Sequence, residues 1–464
     1  MSYLFHILAG IKPMRKLLPL VISAALGSLS ANVFADTLTE IYNQAKTNDP
    51  TLLSARASKD SAFEAINSSR ATLLPQINLT ASYGFNRGEK TIPNQGMNDR
   101  NNDSDIWNAS LGFSQELYKR SSWITLDAAE KTARKADAAY AAAQQSLILR
   151  VSTAYFDVLR AQDNLEFVQA EKAAVGRQLE QTKQRFEVGL SAITDVHDAQ
   201  AQYDSVLADE VLAENELINS YEGLREITGI EHSDLNVLDI KRFSASKTQA
   251  SVDSLLEEAQ QKNLTLLSSR ITKDIAKDNI SLQSSGHLPS LTLDGGYTLT
   301  EQENSGPAAQ DFDSDNFNIG LNLSVPIYSG GATSSLTKQA EFDFVAASQD
   351  LEASYRSVVK DVRAFNNNIN ASIGALRAYE QTVVSAKSAL EATEAGFDVG
   401  TRTIVDVLDS TRNLYDANKN LSNARYEYIL SVLQLREAVG TLSEQDILDI
   451  NTGLKQANSK KAQS

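Results

Sequence analysis

The stretch QINLTASYGFN, residues 76–86, alternates large apolar side chains with small polar ones along its whole length. Successive side chains of a β-strand point to opposite faces, so the pattern predicts a strand with one apolar and one polar face. A length of about 10 residues and polar partners that are Asn, Thr and Ser are typical of a tilted membrane-spanning strand beside a wet lumen. A sandwich strand with one wet face has the same pattern, so this stretch alone leaves both structures open.

Three more stretches, residues 106–118, 290–300 and 316–328, have the same alternation. Four strands cannot close a barrel, and open sheet edges are not tolerated in lipid, so the chain must assemble. Two copies would supply eight strands, whose interior is filled by side chains, and three copies would supply twelve around a channel. We therefore expect a mainly α-helical protein with a β-barrel part, a homotrimer with a 12-strand outer-membrane barrel.

The strands belong to two copies of one sequence unit, offset by about 211 residues. For example, Phe186-Glu187-Val188-Gly189 returns as Phe397-Asp398-Val399-Gly400. The predicted organisation is repeat one at 36–230, a linker or equatorial segment at 231–249, repeat two at 250–440, and a C-terminal equatorial segment and flexible tail at 441–464.

Long helices are predicted after each pair of strands, because no proline lies between Pro93 and Pro289 or after Pro326. Apolar residues in repeat one follow a heptad seam that includes Ile148, Val151 and Tyr155. The predicted helices are a short one before each first strand (50–73 and 264–287), long ones at 119–188 and 333–399, and return helices at 195–228 and 405–439. Each long helix packs against two shorter ones stacked end to end, so three chains would form a periplasmic cylinder of 12 helical columns continuous with the barrel.

The first 35 residues have the pattern of a secretory signal peptide. Three cations precede an apolar stretch at 17–29, and Val33-Phe34-Ala35 is a small-x-small cleavage site. Translation could start at Met1 or at Met14. Either start predicts a chain that leaves the cytoplasm.

Composition excludes several kinds of chemistry. The chain has no cysteine, and its four histidines include no ligand-spaced neighbours, so we expect no metal, no cofactor and no catalytic residue. A net charge of −16 gives no basic surface for nucleic acid. The sequence therefore predicts a protein that is not an enzyme.

The turn after each long helix carries a resemblance to a known family. Residues 184–196 and 399–409 resemble the two helical turns of the TolC family of outer-membrane efflux proteins, and the likeness extends over nearly all of 36–450. The resemblance implies a homotrimeric channel in the outer membrane that extends into the periplasm. It also implies an exit duct for multidrug efflux and type I protein secretion, with a periplasmic adaptor protein and an inner-membrane pump as partners.

The resemblance also assigns residues at the turns. Those that it presents to the adaptor are Val188, Gly189, Leu190, Ser191, Val399, Gly400 and Thr401. It places Asp406 and Asp409 in a ring that binds cations where the cylinder narrows. Because these residues are i,i+3 neighbours, they share one helix face. Asp195 and Asp198 have the same spacing in repeat one, so spacing alone does not choose between the pairs.

A gate latch is the second assignment. The resemblance implies that Arg402 links to Thr194 and Asp195 and holds the helix ends shut. Where close relatives carry a tyrosine, this chain has Phe397, which lacks the hydroxyl that would bond Asp195. One latch is therefore weaker or replaced here.

Two other classes of protein remain as alternatives. A trimeric barrel-anchored surface adhesin would confine its barrel to the C-terminus, whereas these strands recur in both halves. A periplasmic coiled-coil scaffold would lack lipid-facing aromatic residues such as Tyr83, Trp107 and Phe317.

Overall fold

The computed structural model describes residues 36–90, 100–101, 103–305 and 310–456. The predicted signal peptide and the end of the predicted tail lie outside the described residues. The described helices are α1 (Leu38–Asn48), α2 (Pro50–Ala71), α3 (Arg120–Glu187), α4 (Ile193–Thr228), α5 (Val252–Lys262), α6 (Leu264–Ser284), α7 (Ala332–Asp398), α8 (Ile404–Val439) and α9 (Glu444–Thr452). The described strands are β1 (Gln76–Asn86), β2 (Glu89–Lys90), β3 (Arg100–Asn101), β4 (Asp103–Tyr118), β5 (Val237–Leu238), β6 (Ser290–Ser305), β7 (Phe312–Ser324) and β8 (Leu454–Lys455).

The long strands of both repeats form one antiparallel sheet in the order β1-β4-β6-β7. The pairing between β4 and β6 joins the two repeats, and Leu111 lies opposite Tyr297 there. Among the described strands, β1 and β7 each have one neighbour, so both edges of the sheet are open. A single chain therefore supplies a strip of sheet and not a closed barrel.

Strand ends differ from the predicted ones where the partner strand decides them. The strand predicted at 316–328 is β7, Phe312–Ser324, and it ends early because its last residue lies opposite Ser290, where β6 begins. Conversely, β6 extends beyond residue 300 to Ser305, because β4 begins at Asp103 rather than at residue 106 and offers a partner. β4 and β6 are thus each longer than the alternation alone predicts, at the end where residues 103–105 pair with residues 303–305.

One face of the sheet is apolar and exposed. In β1 the alternate residues Ile77, Leu79 and Tyr83 are 68%, 75% and 65% exposed, and in β7 Phe317 and Ile319 are equally open. The exposure of so large an apolar face to water is unfavourable in free energy, whereas its exposure to lipid is not. The sheet therefore has the surface of a membrane-facing wall.

The helices pack into two hairpins. α3 packs against α4 and α2, and α7 packs against α8 and α6, with α3 also touching α6 and α8. The predicted seam is buried: Val151 and Tyr155 are fully enclosed, as is Val362 in repeat two. No described helix is long and apolar enough to cross a membrane.

The short helices meet end to end through asparagines. Asn48, the last residue of α1 and two positions before α2, donates its side-chain amide to the carbonyl of Thr228, at the end of α4, at 3.0 Å. Asn263, just before α6, donates in the same way to the carbonyl of Ala438 at 2.8 Å. These bonds satisfy carbonyls that the last turn of a helix leaves without partners, and they align each pair of helices into one column.

Two helices that were not predicted, α1 and α5, lie at this level beside the linker and tail. β5 from the linker pairs with β8 from the tail, and Leu38 and Ile41 of α1 enter a core around Tyr155. Asp49 accepts two bonds from the Arg150 guanidinium, at 3.1 and 2.6 Å. The linker and tail therefore pack around the middle of the long helices as a belt, which we call the waist.

We expect Gly440→Ala to disrupt the column junction in repeat two. Gly440 has φ +85°, and a Cβ there would lie 2.4 Å from the Lys262 carbonyl oxygen. Gly330 is the control, because it has φ +64° with nothing within 4 Å of an added Cβ. Gly330→Ala should cost about 1–2 kcal/mol of unfolding free energy from backbone strain, and Gly440→Ala clearly more. Denaturant unfolding followed by circular dichroism measures both, and equal losses would contradict the close approach.

Candidate functional site at the helical turns

The turns that join α3 to α4 and α7 to α8 have the same backbone geometry. Gly189 and Gly400 have φ +77° and +79°, which is the left-handed conformation that glycine adopts at low cost after a helix. The N–H of Leu190 donates to the carbonyl of Arg185 at 2.8 Å, and the N–H of Thr401 donates to that of Gly396 at 2.8 Å. Each long helix is therefore closed by an equivalent backbone hydrogen bond.

Apolar side chains project from both turns. Val188 and Leu190 are about 70% exposed, and Val399 is exposed to a similar degree. Ser191 is half-buried and Thr401 is exposed. The seven residues predicted to meet an adaptor therefore lie at the ends of the two hairpins, and the apolar side chains among them are exposed.

Asp406 folds back onto the start of its own helix. Its carboxylate accepts from the backbone N–H and the hydroxyl of Thr403, both at 2.9 Å, and its own N–H donates to that hydroxyl at 3.3 Å. The backbone N–H of Thr403, helped by its hydroxyl and by the charge of Arg402, lowers the pKa of Asp406 below its ordinary value. The carboxylate thus stabilises α8 at neutral pH, and this stabilisation is lost as the pH falls through its pKa.

Asp409 lies one turn further along α8 and is exposed. Its carboxylate is 4.0 Å from the Arg412 guanidinium, which is a weak surface pair. Asp195 in repeat one has the same place as Asp406 and accepts from the Ala192 N–H at 3.1 Å and the Ser191 hydroxyl at 2.6 Å. Both Asp pairs therefore have equivalent positions in their hairpins, and one chain does not bring either pair into a ring.

Arg402 lies on its own hairpin. Its Cγ occupies the space above Gly396, 2.8 Å from where a Cβ would be, and its N–H donates to the Gly396 carbonyl at 3.2 Å. Thr194 is exposed in the first turn of α4. In the described part of one chain, no hydrogen bond or ion pair joins Arg402 to Thr194 or Asp195. A latch through these residues would have to form between protomers and stays a prediction.

A contact between the two repeats was missed in the sequence. The Arg185 guanidinium lies over the Phe397 ring, 4.6 Å from its centroid, and its Nη1 is 3.6 Å from a carboxylate oxygen of Asp398. The two turns differ in a way that signals this contact. In repeat two the position of Arg185 is taken by Gly396, and the position of Ser191 is taken by Arg402.

An apolar cluster lies behind this contact. Val175 and Leu179 of α3 pack with Ile404 and Val407 of α8, and Phe397 packs at the margin of the cluster. A side-chain bond from Gln178 to the Thr411 hydroxyl, at 3.1 Å, also joins the repeats. The two hairpins are therefore held side by side near their turns.

The described ranges contain no cluster of metal-ligating side chains. No group of three or more His, Asp and Glu side chains among the described residues is placed to hold a metal ion.

The family model described as "Outer membrane efflux protein" matches residues 41–230 and 255–441. The chain therefore belongs to the outer membrane efflux protein family, and the resemblance predicted from the turns is confirmed. It is an outer-membrane protein of a channel family and not an enzyme. The predicted fold class, mainly helical with a sheet part, is confirmed as well.

Particular relatives are similar over almost the whole chain. Outer membrane protein TolC of Vibrio cholerae is 71% identical over 96% of this chain and 100% of its own length. Outer membrane protein TolC of Escherichia coli is 46% identical over 95% of this chain and 90% of its own length. Alkaline protease secretion protein AprF of Pseudomonas aeruginosa is 29% identical over 94% of this chain and 90% of its own length.

Solved structures share the fold. The Campylobacter jejuni CmeC outer membrane channel has a TM-score of 0.74 with 18% identity, over 95% of this chain and 98% of that one. CusC has a TM-score of 0.76 with 18% identity, over 88% of this chain and 93% of that one. At this identity the likeness concerns the fold alone.

We expect Thr403→Ala to loosen the first turn of α8. The substitution removes the hydroxyl that accepts from the Asp406 N–H, and losing such a cap costs about 1 kcal/mol. The exchange of the Asp406 amide hydrogen with solvent should then accelerate about fivefold. Thr382→Ala is the control, because the Thr382 hydroxyl donates to the Ala378 carbonyl within α7 and lies on an exposed part of that helix. Equal acceleration at Asp406 in both variants would contradict a specific cap.

Proposed function

We propose that three copies of this chain form an exit duct through the outer membrane and the periplasm. The duct serves efflux and type I secretion, meets a periplasmic adaptor and an inner-membrane pump at its helical turns, and is gated there. Membership of an outer membrane efflux family supports the proposal, and the open sheet edges are the observation that carries it.

The sheet edges support a closed barrel of three copies. β1 and β7 each leave one side without a neighbour among the described strands, while the apolar face of the sheet suits lipid. An unpaired backbone N–H or carbonyl in lipid costs several kcal/mol, so the edges have to be paired. Pairing β7 of one protomer with β1 of the next satisfies both edges, and three copies supply 12 strands around an open lumen.

The helices of one chain match its strands in number. α3 has 68 residues and α7 has 67, so each is about 100 Å long. The stacked pairs α2 with α4 and α6 with α8 supply two further columns per chain, which gives four columns under four strands. Equal numbers of columns and strands allow one wall to continue from sheet to helix without a gap.

Relatives with different cargoes support a passive duct. AprF is named for alkaline protease secretion, and PrtF of Dickeya chrysanthemi for protease secretion. OpmQ of Pseudomonas aeruginosa is named for pyoverdine export. A path shared by proteins and a small molecule suits a wide channel whose selectivity and energy come from its partners. Neither an adhesin nor a coiled-coil scaffold matches these relatives.

The acidic ring and the latch belong to the assembled trimer. Three copies of Asp406 and Asp409 near the axis would attract cations and resist anions. Arg402, held above Gly396 at the edge of its hairpin, would meet Thr194 and Asp195 of a neighbouring protomer. Both features would hold the periplasmic end narrow until an adaptor engages the turns.

Trimer closure is tested by proline in the edge strand. Ile319 and Gly320 are neighbours in β7, and the N–H groups of adjacent residues in a strand point to opposite sides. On an open edge, proline at one of the two positions would be tolerated; in a closed barrel, proline at either position removes a ladder bond. We expect Ile319→Pro and Gly320→Pro both to reduce the detergent-stable trimer, measured by light scattering. A full trimer yield from either variant would argue against closure through β7.

The acidic ring is tested by cation block in planar bilayers. Millimolar divalent or micromolar trivalent cations on the periplasmic side should block the wild-type current by bridging carboxylates. Block should weaken as the pH falls and the carboxylates gain protons. Asp406→Asn with Asp409→Asn keeps an oxygen to cap α8 and should abolish block.

Asp195→Asn with Asp198→Asn is the matched control, because these residues occupy the equivalent positions in repeat one. Its block should remain close to wild type. The reverse outcome, with block lost only in the repeat-one variant, would place the other pair at the gate.

A further inference from the structure

Arg185 makes two contacts with the opposite hairpin from one guanidinium group. The group lies 4.6 Å from the centroid of the Phe397 ring and 3.6 Å from the Asp398 carboxylate. We propose that Arg185 is a positioning residue for the gate, and that its contact with Phe397 and Asp398 holds the two hairpins of each protomer together in the closed duct. The proposal rests on the proposed function, because it assigns a role within that gate.

The geometry favours a specific contact over a chance surface pair. The Arg185 side chain is 24% exposed, so most of it is enclosed between the hairpins, whereas Asp398 is open to solvent. A flat, delocalised guanidinium is suited to stacking on an aromatic face while its edge meets a carboxylate. The ring is therefore the main partner, and the exposed ion pair adds orientation.

The two repeats use their arginines differently. Arg402 fills the space above Gly396 in its own hairpin, where a side chain at residue 396 would collide with it. Arg185 occupies the position equivalent to Gly396 and reaches instead to the other hairpin. Arg402 thus packs within its own turn, whereas Arg185 contacts the turn of the other hairpin.

The place of the contact suits a gate. Arg185 and Phe397 lie in the last turns of the two long helices, next to the exposed turns, with the apolar cluster around Val175 and Ile404 behind them. If the α7–α8 hairpin swings away from the α3–α4 hairpin, the contact between Arg185 and Phe397 must separate. Losing the contact should therefore favour the open arrangement while the cluster keeps the hairpins folded.

The test compares single-channel conductance of the full mature trimer in planar bilayers. We expect Arg185→Gln and Phe397→Leu each to shift the ratio of open to closed states about two- to fivefold toward open, the size of one partly exposed cation–π contact. If both act through one contact, the double variant should shift no further than the larger single one. Phe397→Tyr keeps the ring face and should not raise conductance.

Glu187→Gln is the matched control, since Glu187 is exposed and lies two residues from Arg185 in the same helix. It should conduct like the wild type. A second measurement, hydrogen exchange of the amides of residues 393–398, should show faster exchange in Arg185→Gln with an unchanged yield of trimer. If Arg185→Gln does not assemble, Phe397→Leu carries the test alone with both measurements.

The outcomes separate this inference from the proposed function. Wild-type conductance and exchange in Arg185→Gln, in a protein that conducts and is blocked by cations, would overturn the role of Arg185 and leave the duct intact. Additive effects of Arg185→Gln and Phe397→Leu would overturn the shared contact. A wild-type trimer that never conducts would overturn the duct and the role of Arg185 with it.

Discussion

Every part of this fold depends on one constraint: backbone hydrogen bonds cannot be left open in lipid. The constraint makes the four-stranded sheet of one chain an incomplete structure, because β1 and β7 each lack a neighbour among the described strands. It also links the membrane part to the helices. Each protomer adds as many strands as helical columns to the wall. The internal duplication achieves this match, because each repeat supplies two strands and two columns.

The waist also supplies hydrogen-bond partners to backbone groups that would otherwise lack them, here outside the membrane. Each column of shorter helices is interrupted at mid-height, and an interruption leaves carbonyls without partners. Asn48 and Asn263 supply side-chain donors at these breaks, while α1 packs against α2 and α4, and α5 packs against α6 and α8. Straight columns about as long as α3 and α7 are thereby assembled from pieces that could not span the distance alone.

Local pattern was enough to predict most of the elements. Alternation from Gln76 to Asn86 and the long proline-free seams follow directly from side-chain geometry, so strands and helices were found close to their observed bounds. The ends of β6 and β7 were not predictable in that way, because a strand stops where its partner stops. α1 and α5 were missed although Thr37 with Glu40, and Ser251, are visible helix-start signals.

The gate residues show the same limit at finer scale. Spacing put Asp406 and Asp409 on one face of α8, but the capping of α8 by Thr403 and Asp406 was missed, although these residues have the same helix-start spacing as Thr37 with Glu40. The contact of Arg185 with Phe397 joins residues more than 200 positions apart and depends on how two hairpins lie against each other. The sequence indicates the contact only through one difference between the turns: Arg185 corresponds to Gly396, and Ser191 corresponds to Arg402.

The pairing of Asp36 with Leu235 and of β8 with β5 has a consequence for how the chain reaches its membrane. Both ends of the described chain are fastened at the waist, about half a helix length from the sheet, and all four long strands are internal to the sequence. Each pair of long strands is therefore a loop of chain between two helices, so the sheet reaches the membrane as two loops whose flanking helices stay in the periplasm. Asp36 and Lys455, close to the two limits of the described chain, therefore lie beside the middle of the long helices and away from both ends of the duct.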